Sequence, residues 1–173
     1  MFKDNSLIPA EAVRLAALGL LAEAPRRYGD LAGEIRHFTG RVVGPSLDLM
    51  GTSLELLRYE GLIEAVDGQG MSDNAVLRLT ARGGEALAGL LKAQLRSPAS
   101  DMNRLVLLLK LRFLHHLPPA EQQGQLALMA DMLESERLRL EELRQHSAPG
   151  LFRDWLERDI AVAEERIAWL RGR

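Results

Sequence analysis

Leu57-Arg58-Tyr59-Glu60-Gly61-Leu62-Ile63-Glu64 is the stretch where the chain changes its hydrophobic period. Before it, Leu47, Met50, Leu54 and Leu57 recur at three- and four-residue steps, the spacing of one helix face. After it, Leu62 to Val66 and Ala75 to Leu79 form short apolar runs of strand length. Gly61 stands between the two regimes as a stop signal, because glycine adopts the left-handed conformation that closes a helix. The segment Asp67-Gly68-Gln69-Gly70-Met71-Ser72-Asp73-Asn74 has loop composition, so the two runs read as a hairpin. Thr80 then reads as an N-cap to a helix carrying Leu87, Leu90, Leu91 and Leu95.

Working outward, Val13, Ala16, Ala17, Leu20 and Leu21 mark a first amphipathic helix that Pro25 stops. A second starts near Gly29-Asp30, carries Leu31, Ile35 and Phe38, and is expected to end at Gly40. The third, with the face ending at Leu57, opens near Pro45-Ser46. Three helices, two strands and a further helix within about 85 residues make a winged helix-turn-helix, assigned to residues 1–96.

Residues 97–173 read as entirely helical. After the breaker Ser97-Pro98-Ala99-Ser100, a helix from Asp101 to about His116 is apolar nearly all round and therefore buried on most sides. Pro118-Pro119 ends it and opens the next, where Leu126, Met129, Leu133, Leu140 and Leu143 keep a seam. Pro149-Gly150 breaks again. The last helix aligns Phe152, Leu156, Ile160, Ala163, Ile167 and Leu170, with Trp155 and Trp169 beside them. Two long seams exceed the need of one small domain, and a second copy is the expected partner. The expected homodimer interface is Leu126, Met129, Leu133, Leu140, Phe152, Trp155, Leu156, Ile160 and Ile167. The fold class is thus mainly α with a small β-hairpin: a winged helix followed by a C-terminal helical dimerisation region.

At 173 residues, with 47% hydrophobic and 27% charged side chains, the chain is globular. It has no cysteine, which excludes disulfides, zinc ribbons and thiol catalysis. No N-terminal stretch has signal-peptide order, and the run Leu105 to Leu117 is too short and too interrupted to span a bilayer. The expectation is a cytoplasmic protein without membrane contact. Residues 1–95 carry 10 Lys and Arg against 12 Asp and Glu, and residues 96–173 carry 12 of each. Neither half is a basic domain. His115-His116 lacks a third ligand at helical spacing, Gly68-Gln69-Gly70 lacks the rest of a nucleotide loop, and no nucleophile–base order is present. We expect no enzyme activity, no metal and no cofactor.

The chain resembles the PadR-like winged helix-turn-helix transcriptional regulators. The resemblance is carried by Leu15-Ala16-Ala17-Leu18-Gly19-Leu20-Leu21-Ala22-Glu23-Ala24-Pro25, by Tyr28-Gly29-Asp30-Leu31-Ala32, by Glu60-Gly61-Leu62-Ile63-Glu64 and by Leu79-Thr80-Ala81-Arg82-Gly83, over roughly residues 13–95. It implies a dimeric regulator, in many members a repressor. It would bind operator DNA through the helix at about 46–60 and the wing at about 62–80, in some members under control of a small aromatic effector. A slot between protomers lined by Trp155 or Trp169 would suit such an effector. Where the family usually opens its third helix with a Gly-Thr-Leu-Tyr-Pro-like stretch, this chain has Asp48-Leu49-Met50-Gly51-Thr52.

On a helical wheel, Leu49, Thr52, Leu56 and Tyr59 lie opposite the core stripe, with Asp48 and Glu55 beside them. That outward face offers no Arg, Lys, Asn or Gln of the kind that reads base edges. The expected DNA contacts are Ser46, Leu49, Thr52, Ser53 and Tyr59 from the helix. Arg26, Arg27, Arg36, Arg41 and Arg78 are expected to meet phosphates. An alternative keeps the fold without DNA reading and gives the Leu49, Leu56 and Tyr59 face to a protein partner.

Overall fold

The computed structural model describes residues 9–43, 50–66, 74–95 and 101–173. The first helix, α1 (Pro9–Glu23), ends two residues before Pro25, as the restriction on pre-proline backbone requires. Its stripe Val13, Ala16, Ala17, Leu20 and Leu21 is buried, and so are Ala12, Leu15 and Leu18. A helix enclosed on so many sides needs neighbours on several. α2 (Tyr28–Val42), α3 (Met50–Tyr59), α4 (Ala81–Lys92) and α5 (Asp101–Phe113) all pack on it. The approach of α5 is close: a Cβ on Gly19 would stand 2.5 Å from the Phe113 ring.

Between α1 and α2 lies a strand that the sequence pattern did not reveal, β1 (Arg26–Arg27). With β2 (Ile63–Ala65) and β3 (Val76–Leu79) it makes a three-stranded antiparallel sheet in the order β1-β3-β2. The hairpin register places Ile63 opposite Leu79, Glu64 opposite Arg78 and Ala65 opposite Leu77. Arg26 faces Leu77 on the other edge of β3. α2 starts at Tyr28 and runs through Gly40 to Val42, so Gly40 does not terminate it. The helix continues because Thr39 accommodates its last turn, donating its hydroxyl to Ile35 O at 2.9 Å while its carbonyl accepts from Val43 N at 2.9 Å.

The end of α3 is built by a Schellman motif. Gly61 has φ +71°, Gly61 N donates to Arg58 O at 2.9 Å, and Leu62 N donates to Leu57 O at 2.9 Å. Leu57 and Leu62 are both buried, the apolar contact that accompanies this cap. Thr80 then ties the wing stem to the same point. Its Oγ1 donates to Gly61 O at 2.8 Å and accepts from Gly83 N at 3.0 Å, capping α4.

The second half begins with α5, and its buried Leu105, Val106, Leu109 and Phe113 join the same core as α1. That core continues through a 3-10 turn (Leu114–His116) to Leu117, beyond the point at residue 97 where the sequence suggested a boundary. The helix expected to reach His116 ends at Phe113 and tightens into that turn. Then α6 (Pro119–Gln145) and α7 (Leu151–Arg171) pair as a helical hairpin. Their seam residues Met129, Ala130, Leu133, Ile167 and Leu170 form a second, smaller core. Among the described residues no helix is long and apolar enough to cross a membrane.

Candidate nucleic-acid interface

α3 shows a sealed underside and an open far side. Leu54 and Leu57 are completely buried. Glu55, Leu56, Arg58 and Tyr59 are exposed, Tyr59 by 90%. The division follows from helical geometry, since residues 54 and 57 share a face while 56 and 59 turn away from it. Ser46 and Leu49 lie outside the described residues, as do the side chains of Thr52 and Ser53 and the wing tip at 67–73.

The orientation of α3 is fixed at its C-terminal end by an ion pair that the sequence reading missed. Arg14 of α1 donates to both oxygens of Glu60, at 3.1 and 2.5 Å. Glu60 is half-buried, and the hydrogen bond from Arg14 holds its carboxyl below the usual carboxylate range, with Arg82 adding a weaker attraction. Neither residue belongs to a recognisable motif pair. They lie 46 positions apart, and only the packing of α1 on α3 brings them together.

The five arginines expected to meet phosphates divide into two groups. Arg26 is spent within the protomer. It donates to Leu20 O, to Glu23 at 2.9 Å and to Glu34 at 2.9 Å. Glu34 also accepts from Arg112 of α5 at 3.0 Å, so one carboxylate holds β1, α2 and α5 together. Arg78 pairs with Glu64 across the hairpin at 2.6 Å, the pair that the strand register sets opposite each other. Arg27, Arg36 and Arg41, by contrast, are exposed and carry no ion pair among the described residues. Arg58 is a further exposed arginine, on α3 itself but outside the face of Leu56 and Tyr59. It sits on the flank of the face, about 70° from the core direction (100° per residue), where a wheel centred on the stripe does not single it out.

The expected dimer residues also divide. Met129, Leu133, Leu156, Ile160 and Ile167 are buried within one protomer, because α6 and α7 close on each other. Leu126 and Leu140 are half-buried. Phe152 and Trp155 remain open, Trp155 by 64%, together with Leu128, Leu138, Leu143 and Leu151. The two indoles do not form a common slot in one chain, since Trp169 instead borders a cavity lined by α5, α6 and α7. His115 and His116 fall in the 3-10 turn with ring centroids 4.2 Å apart. Burial, and then the neighbouring His115, lower the pKa of His116.

A three-stranded sheet ending in the β2–β3 hairpin, a presented third helix and a helical C-terminal half define the class: a winged-helix protein. The comparison with known families is specific on this point. The family described as "Putative AphA-like transcriptional regulator" matches residues 2–172, and the chain belongs to that family. Its role therefore lies in transcriptional regulation. No curated protein matches the chain.

Proposed function

We propose that the chain is a dimeric regulator of the PadR-like type, acting as a repressor by occupying operator DNA with α3 in the major groove. The observation that carries this reading is α3 itself: sealed beneath by Leu54 and Leu57, anchored by Arg14 and Glu60, and open at Leu56, Arg58 and Tyr59. Arg27, Arg36 and Arg41 supply uncommitted charge for phosphates on β1 and α2, the elements that precede α3. The second copy binds through the outer surface of the α6–α7 hairpin, at Phe152, Trp155 and the exposed leucines of α6, rather than through the seam that the hairpin fills by itself.

The test is the salt dependence of binding to the DNA upstream of the protein's own gene, followed by fluorescence anisotropy. Each phosphate contact contributes ~0.9 to the slope of log affinity against log salt. Arg36→Ala with Arg41→Ala should therefore flatten that slope by about two and weaken binding on all sequences alike. Arg26→Ala should leave the slope where it is, since its guanidinium is held by Glu23 and Glu34. A slope unchanged in the double variant would contradict these roles.

A second reading is favoured by one specific observation. Leu56 is 46% exposed and Tyr59 is nearly free, with Glu55 beside them, which is the make-up of a protein-binding face. Under it, Leu56→Arg abolishes capture of the partner. Under the DNA reading, the same change preserves or raises DNA affinity.

A further inference from the structure

One wall of α5 faces away from the winged helix. Leu105, Val106 and Leu109 point into the main core, whereas Leu107, Leu108 and Leu111 line a cavity of about 540 Å³ that α6 and α7 complete. That volume lies within the ~300–1,000 Å³ range of small-molecule sites. The remaining walls are also aliphatic, with Leu133 and Leu140 from α6 and Val162 from α7, and Trp169 forms the aromatic edge.

Four charged side chains also line it: Arg104, Arg166, Glu136 and Asp159. Glu136 is engaged by Arg139 at 3.4 Å. Arg104, Arg166 and Asp159 carry no ion pair among the described residues, so the uncommitted charge in the lining is two guanidinium groups against one carboxylate. Lys110 does not contribute. It lies on the other side of α5, where it donates to Ala93 O and to Gln125 Oε1.

We propose that this cavity binds a medium-chain aliphatic monocarboxylate, its tail among the leucines and its carboxylate at Arg104 and Arg166. The aliphatic walls favour an apolar tail, because leucine and valine side chains offer nothing to pair with a hydroxyl or amide. The two guanidinium groups without an ion pair favour an anion over a cation or a neutral head, and a guanidinium matches a carboxylate with two parallel donors. The site stands independently of the DNA reading and is tested without DNA.

Trp155→Phe leaves Trp169 as the sole indole of the full chain. Octanoate, decanoate and dodecanoate, kept below their micelle concentrations, are titrated against this variant by Trp169 fluorescence and by calorimetry. The expected result is saturable binding of one molecule per chain, tightening about fourfold per added methylene until the cavity is full. Arg104→Gln and Arg166→Gln should each weaken decanoate on the order of tenfold with unchanged helicity. Val162→Trp, at an exposed position, should block entry even if an arginine variant fails to fold. Decyl phosphate binding as tightly as decanoate would widen the class to anionic amphiphiles and overturn the carboxylate assignment. Equal binding of decylamine or decanol would overturn the anionic head, and absence of saturable binding would overturn the site. Trp169 emission that depends on protein concentration without any ligand would assign the groove to a second copy instead.

Discussion

Lys110 is the one fully buried ionisable side chain among the described residues, 1% exposed and without a carboxylate partner. It hangs from α5 and donates to the Ala93 carbonyl at the end of α4 and to Gln125 of α6, so a single amine joins three helices. Burial pushes its pKa down to about 8, from an ordinary 10.5. Below pH 8 the fold therefore carries a buried charge, at a cost of up to ~3 kcal/mol. Between about pH 8 and 10.5 the unfolded chain binds the proton that the folded chain has released, so stability rises with pH across that window. Lys110→Met removes this dependence. It also strips Ala93 and Gln125 of their donor, a loss of about 1–3 kcal/mol that offsets much of the relief at neutral pH. Urea unfolding at pH 7 and at pH 9.5 should show wild type gaining on the variant at the higher pH. Parallel curves would refute a neutral folded-state amine.

The wing stem sets the next scale, because β2, β3 and α4 meet within a few ångströms of the end of α3. A Cβ on Gly83 would stand 2.1 Å from the Leu62 carbonyl oxygen and 2.7 Å from Leu79 Cδ1, whereas Gly84 has open space around it. Gly83→Ala must displace backbone and should cost about 1–3 kcal/mol or more. Gly84→Ala should stabilise by about 0.5–1 kcal/mol, since a helix interior gains from the lost freedom of glycine. Thermal unfolding of the two variants with equal signs would show that α4 does not press on the wing as described. Much at this scale was legible beforehand. Gly61, Thr80 and the change of period marked α3, the hairpin and α4, because caps and periods are local properties. β1 was invisible, since two arginines have no strand period and pair only through a neighbour some fifty residues away. The split among the arginines was invisible for a related reason: Arg26 and Arg36 look alike in sequence, and only the packing of α2 brings Glu34 to one of them.

For the whole molecule, most of the expected seams of α6 and α7 are buried or half-buried, while Leu143 and Phe152, expected on them, stand exposed; period alone does not say which surface covers a seam. The hairpin covers Leu133, Leu156 and Ile167 within one chain and leaves Phe152, Trp155 and several leucines exposed, the surface proposed for a second copy. Trp155→Glu should then lower the association of two copies at least tenfold in sedimentation equilibrium while leaving monomer helicity intact. A dimer undisturbed by that change would move the interface elsewhere. The AphA-like family membership fixes the regulatory class, and the exposed side of α3 is the surface proposed to meet DNA. The most direct measurement is a photocrosslink from position 59, with benzoylphenylalanine in place of Tyr59, irradiated in the presence of labelled upstream DNA and a cell extract. The expected result is a covalent adduct to the DNA that unlabelled operator competes away. An adduct to another polypeptide, with none to DNA, would contradict it.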